Sequence, residues 1–249
     1  MRTFASVYSG IGGADAGFCA HGWQVKWQCE ADHYRSAVLK RGFNVDIYER
    51  IESLPTRALE TVDLLYGELP DHRLNAWWPM MRRVVEHVKP KWLICECSPS
   101  VPCEPVLLDV VRDGWCVRLL YIRCIITSDD MRKDDTDIRN RALIVASRND
   151  DVYKIGVAGN WAELVITTDS IKNCERLSMP WHELSRGFRV GWTCACGVEP
   201  CACGRDRRIS ALADATSPYL SSWIAEVIDG AWQDGVDRGV TEADGRVPA

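Results

Sequence analysis

Short apolar runs rich in β-branched residues alternate with amphipathic stretches along the first 148 residues of the chain. An apolar run of four to eight residues indicates a buried strand, whereas apolar residues three or four apart indicate a helix that covers a sheet. The predicted strands are Thr3–Tyr8, Gln24–Cys29, Val62–Tyr66, Lys91–Glu96, Val117–Arg123 and Ala142–Ser147, and the predicted helices are Gly13–Ala20, His33–Lys40, Trp77–Val88 and Val106–Arg112. The alternation predicts an α/β fold with a mostly parallel sheet and helices on both faces.

The alternation stops after the predicted main domain, residues 1–148. Residues 149–208 contain turns, short strand-like runs and a cysteine cluster, and we interpret them as a small recognition-like region. Residues 209–232 are expected to return to the main domain through a helix at Asp214–Ile228, which has apolar residues at helical spacing. The polar tail, residues 233–249, is expected to be flexible.

Composition bounds the compartment and the partners. No apolar run reaches the roughly 20 residues that span a bilayer, so we expect no membrane partner and a cytoplasmic or nuclear protein, in a prokaryotic, viral-host or eukaryotic cell, that is not secreted. In a reducing compartment the 12 cysteines are expected to be thiols or metal ligands rather than disulfides. A net charge of -5 neither indicates nor excludes nucleic-acid binding, because arginine clusters can line one face of an acidic protein.

A glycine-rich turn follows the first predicted strand and directly precedes a helix. It consists of Ser9, Gly10, Ile11, Gly12 and Gly13. Such a turn lets the backbone approach a ligand closely and directs the amides of a helix N-terminus at the polar groups of that ligand. A purely structural strand-to-helix turn has the same pattern, so the turn alone leaves both interpretations open.

An acidic strand end provides the second signal. Glu30 ends the next strand, Ala31 and Asp32 follow it, and Glu30 lies about 20 residues beyond the turn, the spacing at which a carboxylate receives ribose hydroxyls. The pair favours a nucleoside-containing cofactor over the alternative of a solvated acidic strand end.

These residues resemble the first motifs of the cytosine-C5 DNA methyltransferases. Phe4–Gly13 is similar to the first motif, and Glu30–Asp32 and Asp46–Ile47 are similar to the second and third, which in that family hold the ribose and adenine of S-adenosylmethionine. The resemblance implies a Rossmann-like, S-adenosylmethionine-dependent methyltransferase fold. It also implies that Ala31, Asp46 and Ile47 join Glu30 and the glycine turn in the cofactor site.

Three later segments continue the resemblance and carry its departures. Asp63–His72 resembles the family segment that ends in Pro-Cys-Gln, which adds Gly67 and Pro70 to the implied cofactor site and places Asp71 at the position of the catalytic cysteine. Lys89–Ser98 resembles the Glu-Asn-Val motif and retains Glu96. Asp137–Ala146 resembles the Gln-x-Arg-x-Arg motif and retains Arg139 and Arg141, while Ala213–Pro218 resembles the closing motif.

The departure at Asp71 bears directly on chemistry. In the family a thiolate adds to C6 of a flipped-out cytosine while the glutamate steadies N3 and the amino group. The resemblance implies that Asp71, Glu96, Arg139 and Arg141 face the base and its backbone. A carboxylate is a much poorer soft nucleophile than a thiolate, so we expect the standard thiolate chemistry to be lost.

Several interpretations of this loss stay open. The leading one is a methyltransferase-like protein that binds S-adenosylmethionine and DNA. A second is a non-catalytic accessory or decoy protein that binds DNA, an active methyltransferase or another chain. A third is a nucleobase-modifying enzyme in which Asp71 or His72 acts as a base or metal ligand, and a relocated thiol at Cys97 or Cys103 is a further alternative.

A cysteine cluster provides an independent signal. Two Cys-x-Cys pairs, each followed by glycine, contain Cys194, Cys196, Cys201 and Cys203. Four thiolates can converge on one tetrahedral Zn²⁺ at about 2.3 Å per sulfur, and such a closed site is structural. The alternative is a reduced, cysteine-rich loop. Arg205, Arg207 and Arg208 follow the cluster and would lie near phosphates if this region contacts DNA.

Overall fold

A computed structural model of the chain describes residues 1–68, 74–99, 103–126, 137–154, 161–166 and 220–230. Within these ranges one sheet contains eight strands in the order β3-β2-β1-β4-β5-β7-β6-β8. The strands are β1 (Thr3–Val7), β2 (Gln24–Cys29), β3 (Asp46–Tyr48), β4 (Leu64–Glu68), β5 (Trp92–Cys97), β6 (Cys116–Ile126), β7 (Asp137–Ser147) and β8 (Trp161–Ile166).

The directions of the strands indicate the edge of the sheet at which a ligand is expected to bind. β1 pairs in parallel with both β2 and β4, and β4 pairs in parallel with β5. β7 is antiparallel to β5 and to β6. The strand order reverses around β1, and in open α/β sheets ligands bind outside the carboxyl ends of the strands at such a switch point.

Helices cover both faces of the sheet. They are α1 (Gly13–Ala20), α2 (His33–Gly42), α3 (Leu74–Val88), α4 (Glu104–Arg112) and α5 (residues 220–230). Buried residues of α3 and α4, among them Met81 and Val110, pack with Leu93 of β5 on one face. Phe18 of α1 and Ile224 of α5 pack on the other face. The short helices Ile51–Ser53, Thr56–Ala58 and Asp150–Lys154 are 3₁₀-helical.

The predicted α/β class is confirmed. β2 and α1 have the predicted bounds, whereas β6 and β7 extend further than predicted because they pair with each other along 11 residues. Residues 161–166, assigned from sequence to the recognition-like region, form β8 and extend the main sheet beside β6. Among the described helices, none is both long enough and apolar enough to cross a membrane.

Candidate functional site

The glycine turn follows β1, and its backbone adopts a conformation that few residues other than glycine adopt. Gly10 has φ 60° and Gly12 has φ 84°, and Tyr8, just before the turn, has φ 54°. A Cβ atom on Gly12 would lie 2.5 Å from the Phe43 ring of the segment after α2. A Cβ on Gly10 would meet no atom within 4 Å. The turn is therefore packed on the side of Gly12 and open on the side of Gly10.

The Glu30 carboxylate joins the end of β2 to this turn. Its Oε2 accepts a hydrogen bond from the Gly10 amide at 2.8 Å, and its Oε1 accepts one from the Asp32 amide at 2.8 Å. Burial raises the pKa of Glu30, against the opposing effect of these two amides. Each carboxylate oxygen has a second lone pair, so the group can still accept hydrogen bonds from a ligand.

The other predicted cofactor residues lie at different distances from this junction. Ile11 and Gly13 are buried in the turn, Ala31 is exposed directly after Glu30, and Gly67 is buried in β4 beside Val7. Ile47 is half-buried opposite Gln28, whereas Asp46 is exposed at the start of β3 opposite Trp27, two residues before the carboxyl end of that strand. Tyr48 ends β3, and its carbonyl oxygen accepts a hydrogen bond from the Glu30 amide at 2.9 Å. Tyr48 therefore lies closer to Glu30 along the sheet than Asp46 does.

A buried polar network underlies the turn, and it adds Asp15, which lies outside the Phe4–Gly13 motif, to Ser6 and Ser9, which lie within it. Asp15 of α1 and Ser6 of β1 are both fully buried, and the Ser6 hydroxyl donates to Asp15 Oδ1 at 2.7 Å. Ser6 Oγ lies 2.7 Å from Ser9 Oγ, which accepts a hydrogen bond from the Cys29 amide at 3.2 Å. The feature of the sequence that could have predicted this network is the presence of polar residues at core-facing positions of a strand and a helix.

A second cluster forms around Glu96 in β5. Glu96 is 1% exposed; its Oε1 accepts a hydrogen bond from Arg141 Nε at 2.6 Å, and its Oε2 accepts one from the Tyr66 hydroxyl. Burial lowers the pKa of Arg141, but the charges of Glu96 and Glu68 outweigh burial and the net shift is upward. Glu68 is the register partner of Glu96 across β4 and β5. The sequence motifs predict a role for Glu96 and Arg141, whereas Tyr66, although it lies in the Asp63–His72 segment, received no predicted role.

Cys97 and Cys103 lie in the core on the face of the sheet covered by α3 and α4, away from the cluster around Glu96. Their sulfur atoms are 2.8 Å apart, and both side chains are buried. The hydrogen bond with Cys103, together with burial, raises the pKa of Cys97. Because a reactive thiol must be accessible and ionised, this arrangement disfavours the interpretation of Cys97 as a relocated nucleophile.

Several predicted residues fall outside what the structure describes. These are Pro70, Asp71 and His72, the four cysteines Cys194, Cys196, Cys201 and Cys203, and the arginines Arg205, Arg207 and Arg208. Arg139 occupies a position in β7, and its side chain is likewise outside the described set. Within the described ranges no group of three or more metal-ligating side chains is present. The zinc site stays a prediction.

Comparison with known proteins addresses the fold. No sequence profile of a protein family matches the chain, and no curated protein matches it. The structure is similar to the Dnmt2 methyltransferase of S. pombe, with a TM-score of 0.55 and 12% identity over 92% of this chain and 99% of that chain. It is also similar to the methyltransferase EhMeth of Entamoeba histolytica, with a TM-score of 0.53 and 10% identity over 92% of this chain and 98% of that chain.

A prophage-encoded protein of E. coli, described as a DNA modification methyltransferase, has a TM-score of 0.49 and 14% identity over 64% of this chain. The present chain spans about half of that protein, 49% of its length. The likeness to the S. pombe and Entamoeba histolytica proteins shows that the fold is that of the Rossmann-like methyltransferases. Within that class, the resemblance to the cytosine methyltransferases predicted from the sequence is confirmed at the level of the fold.

Proposed function

We propose that this chain binds S-adenosylmethionine at the glycine turn and Glu30, and presents a nucleobase of DNA to Glu96 and Arg141, without the thiolate chemistry of the cytosine-C5 methyltransferases. The observation that carries the proposal is the junction of Gly10 and Glu30, with the amide and the carboxylate 2.8 Å apart at the carboxyl edge of the sheet. The turn and the acidic strand end, separate signals in the sequence, are thus in direct contact.

The described residues fit the cofactor. Gly10 presents open space to a ligand, the N-terminus of α1 follows the turn, and Glu30 retains lone pairs that can accept ribose hydroxyls. Asp46 and Ile47 are assigned to the adenine through the family resemblance. When bound, S-adenosylmethionine supplies an electrophilic methyl group.

Glu96 and Arg141 supply the chemistry for holding a base. A carboxylate accepts a hydrogen bond from an exocyclic amino group, and a guanidinium donates to a carbonyl oxygen. Arg141 is 18% exposed and Glu96 is 1% exposed, so the pair lies at a protected position that a base taken out of its duplex would suit. Asp71, at the nucleophile position, leaves the proposed site without a thiolate.

The test is calorimetric titration with S-adenosylmethionine of the wild-type protein and of Glu30→Ala. A hydrogen bond to a charged group contributes about 1.5–3 kcal/mol, so we expect the substitution to weaken binding at least about tenfold. Glu86→Ala, which removes an exposed carboxylate on α3, is the matched control and should bind as wild type does. Absence of binding by the wild-type protein would refute the cofactor proposal.

A non-catalytic accessory or decoy protein is the second candidate. It is favoured by the hydrogen bonds that engage both oxygens of Glu96, because a base would have to share or displace them. Mass spectrometry of nucleosides from DNA incubated with the protein and S-adenosylmethionine separates the candidates. Cofactor and DNA binding without a modified nucleoside supports the accessory role. A modified nucleoside that disappears in Asp71→Ala supports a nucleobase-modifying enzyme with a cysteine-independent mechanism.

The proposal also includes a structural zinc ion held by Cys194, Cys196, Cys201 and Cys203. Its support is the chemistry of the donor set, two Cys-x-Cys pairs separated by a short glycine- and proline-containing turn. A loop with few apolar residues needs such a ligand to fold. We infer that the part of the recognition-like region that follows β8, residues 167–208, contributes to DNA recognition.

A further inference from the structure

We propose that Asp15 is a positioning residue for the cofactor site, acting on the end of β2 through the hydroxyls of Ser6 and Ser9. The inference rests on the proposed function, because it concerns how the turn that would hold S-adenosylmethionine is set. Asp15 does not reach that turn itself. Its side chain lies beneath the turn, fully buried in the first turn of α1.

The direction of each hydrogen bond follows from the number of protons available. Ser6 has one hydroxyl proton, and it is donated to Asp15 Oδ1 at 2.7 Å. In the contact between Ser6 and Ser9, also 2.7 Å, the donor must therefore be Ser9. The free lone pair of Ser9 then accepts the Cys29 amide at 3.2 Å. All donors in this relay point toward the Asp15 carboxylate.

The far end of the relay is the strand end that carries Glu30. The Ser9 amide donates to the Cys29 carbonyl at 3.1 Å, so Ser9 is fixed to β2 through both its side chain and its backbone. Glu30 follows Cys29 and accepts the Gly10 amide at 2.8 Å. Asp15 thus sits at one end of a chain of hydrogen bonds whose other end is the Cys29 amide, one residue before Glu30 of the proposed cofactor site.

Protonation of Asp15 reverses this relay. A neutral carboxyl group can donate to Ser6, which then turns its own proton toward Ser9. Ser9 would in turn donate to a backbone carbonyl, either Ser6 at 3.2 Å or Cys29 at 3.3 Å, and would hold the Cys29 amide less firmly. Burial raises the pKa of Asp15 to about 6, against the hydrogen bond from Ser6, so the reversal falls within an accessible pH range.

The groups that face Asp15 do not compete for this titration. Ser6 and Gln28 face it from β1 and β2 and do not ionise near neutral pH. Cys19 of α1 is electrostatically coupled to Asp15, but burial raises the pKa of Cys19 to about 12, so its thiol stays neutral. Glu30 also titrates, and its pKa is raised by burial. A variant that lacks only the Asp15 titration is therefore needed.

Asp15→Asn is that variant, because it removes the titrating group and nearly preserves the size of the side chain. Because the pKa of Asp15 is raised in the folded state, its ionisation costs folding free energy. Its stabilising contribution is complete below about pH 4, the pKa of an unfolded aspartate, and is lost as the pH rises through about 6. An amide avoids this cost at neutral pH.

The experiment combines two titrations between pH 5 and pH 8. The first follows the amide resonances of Cys29 and Gly10 in ¹⁵N-labelled full-length protein without cofactor. We expect the Cys29 amide to titrate with a midpoint near 6 in the wild-type protein and to lose that transition in Asp15→Asn and in Ser6→Ala. Ser36→Ala, a buried serine of α2, is the control and should titrate like wild type.

The second titration measures the affinity for S-adenosylmethionine. We expect about threefold to tenfold weaker binding by the wild-type protein at pH 5 than at pH 7, and a smaller loss in Asp15→Asn, which lacks the Asp15 titration. A wild-type Cys29 amide that does not titrate, or the same affinity profile in both proteins, would overturn the relay. A Cys29 transition that Asp15→Asn abolishes, without cofactor binding at any pH, would instead refute the proposed function and leave the relay standing.

Discussion

Glu96 illustrates at the residue scale how strongly a buried charge depends on its partner. Its carboxylate is 1% exposed and is neutralised by Arg141, whose Nε lies 2.6 Å from Oε1. Removing one partner of a buried ion pair leaves an uncompensated charge and costs about 3–5 kcal/mol. We expect Arg141→Ala to lower the free energy of unfolding by about 3 kcal/mol, measured by urea denaturation.

The double variant Arg141→Ala with Glu96→Gln provides the control. It removes the unpaired charge, while the side-chain carbonyl of the introduced glutamine can still accept the Tyr66 hydroxyl. Part of the lost stability should therefore return, giving a favourable coupling energy in a double-mutant cycle. Strictly additive losses would contradict the ion pair. Arg112→Ala, which affects an exposed pair with Asp109, should change stability by less than about 1 kcal/mol.

At the element scale, the two glycines of the turn between β1 and α1 are expected to serve different purposes: Gly12 the stability of the fold and Gly10 the binding of a ligand. A residue other than glycine costs about 1–2 kcal/mol in the left-handed region. Gly10→Ala should show only that cost, because its Cβ meets no atom within 4 Å. Gly12→Ala should destabilise further, since its Cβ would overlap with Phe43 and Leu39. Urea denaturation of both variants checks the order.

The affinity for S-adenosylmethionine provides a second test of Gly10→Ala. If S-adenosylmethionine lies against the turn, the methyl group of Gly10→Ala occupies space that the cofactor needs, and affinity should fall by at least about tenfold while the protein stays folded. Gly22→Ala carries the same left-handed cost, φ 93°, at the loop between α1 and β2 and serves as the control. Equal affinity in the Gly10 and Gly22 variants would place the cofactor elsewhere.

Elements differ in how well local sequence predicts them. The pattern predicts β1, β2 and α1 with nearly their observed bounds, because each combines buried apolar residues with a glycine or a charge at its end. β3 has three residues, none of them fully buried, and β8 gains its place by pairing with β6. The local sequence pattern therefore predicts neither β3 nor β8. The bond from Tyr66 to Glu96 likewise depends on the register of β4 against β5, and the sequence assigns a role to Glu96 alone.

At the scale of the whole molecule, topology gathers both proposed sites on one edge of the sheet. The glycine turn, Glu30 and Glu96 lie at or near the carboxyl ends of β1, β2 and β5. β7 runs antiparallel to β5 and pairs Cys97 with Ala142, which brings the preceding residue, Arg141, to the same edge. A methyl donor and an acceptor base must meet, so this shared edge is the arrangement that the proposed function requires.

The proposed zinc ion also belongs to the scale of the whole molecule, because it would fix a segment that follows β8 and precedes α5. We expect the purified protein to contain about one zinc per chain by elemental mass spectrometry. Cys194→Ser and Cys201→Ser should each lose most of the metal, since one oxygen ligand replaces a thiolate, whereas Cys116→Ser in β6 should retain it.

Removal of the metal should then separate the two parts of the proposal. The described core has its own buried apolar clusters on both faces of the sheet, so a strong chelator should leave the fold and S-adenosylmethionine binding in place. DNA binding should weaken if the segment around the cysteines contacts the duplex, because an unpinned loop loses conformational entropy on binding. Zinc-free protein that binds DNA as tightly as the metal-loaded form would contradict a recognition role for this segment, and absence of zinc from the wild-type protein would leave the cysteines as a reduced loop.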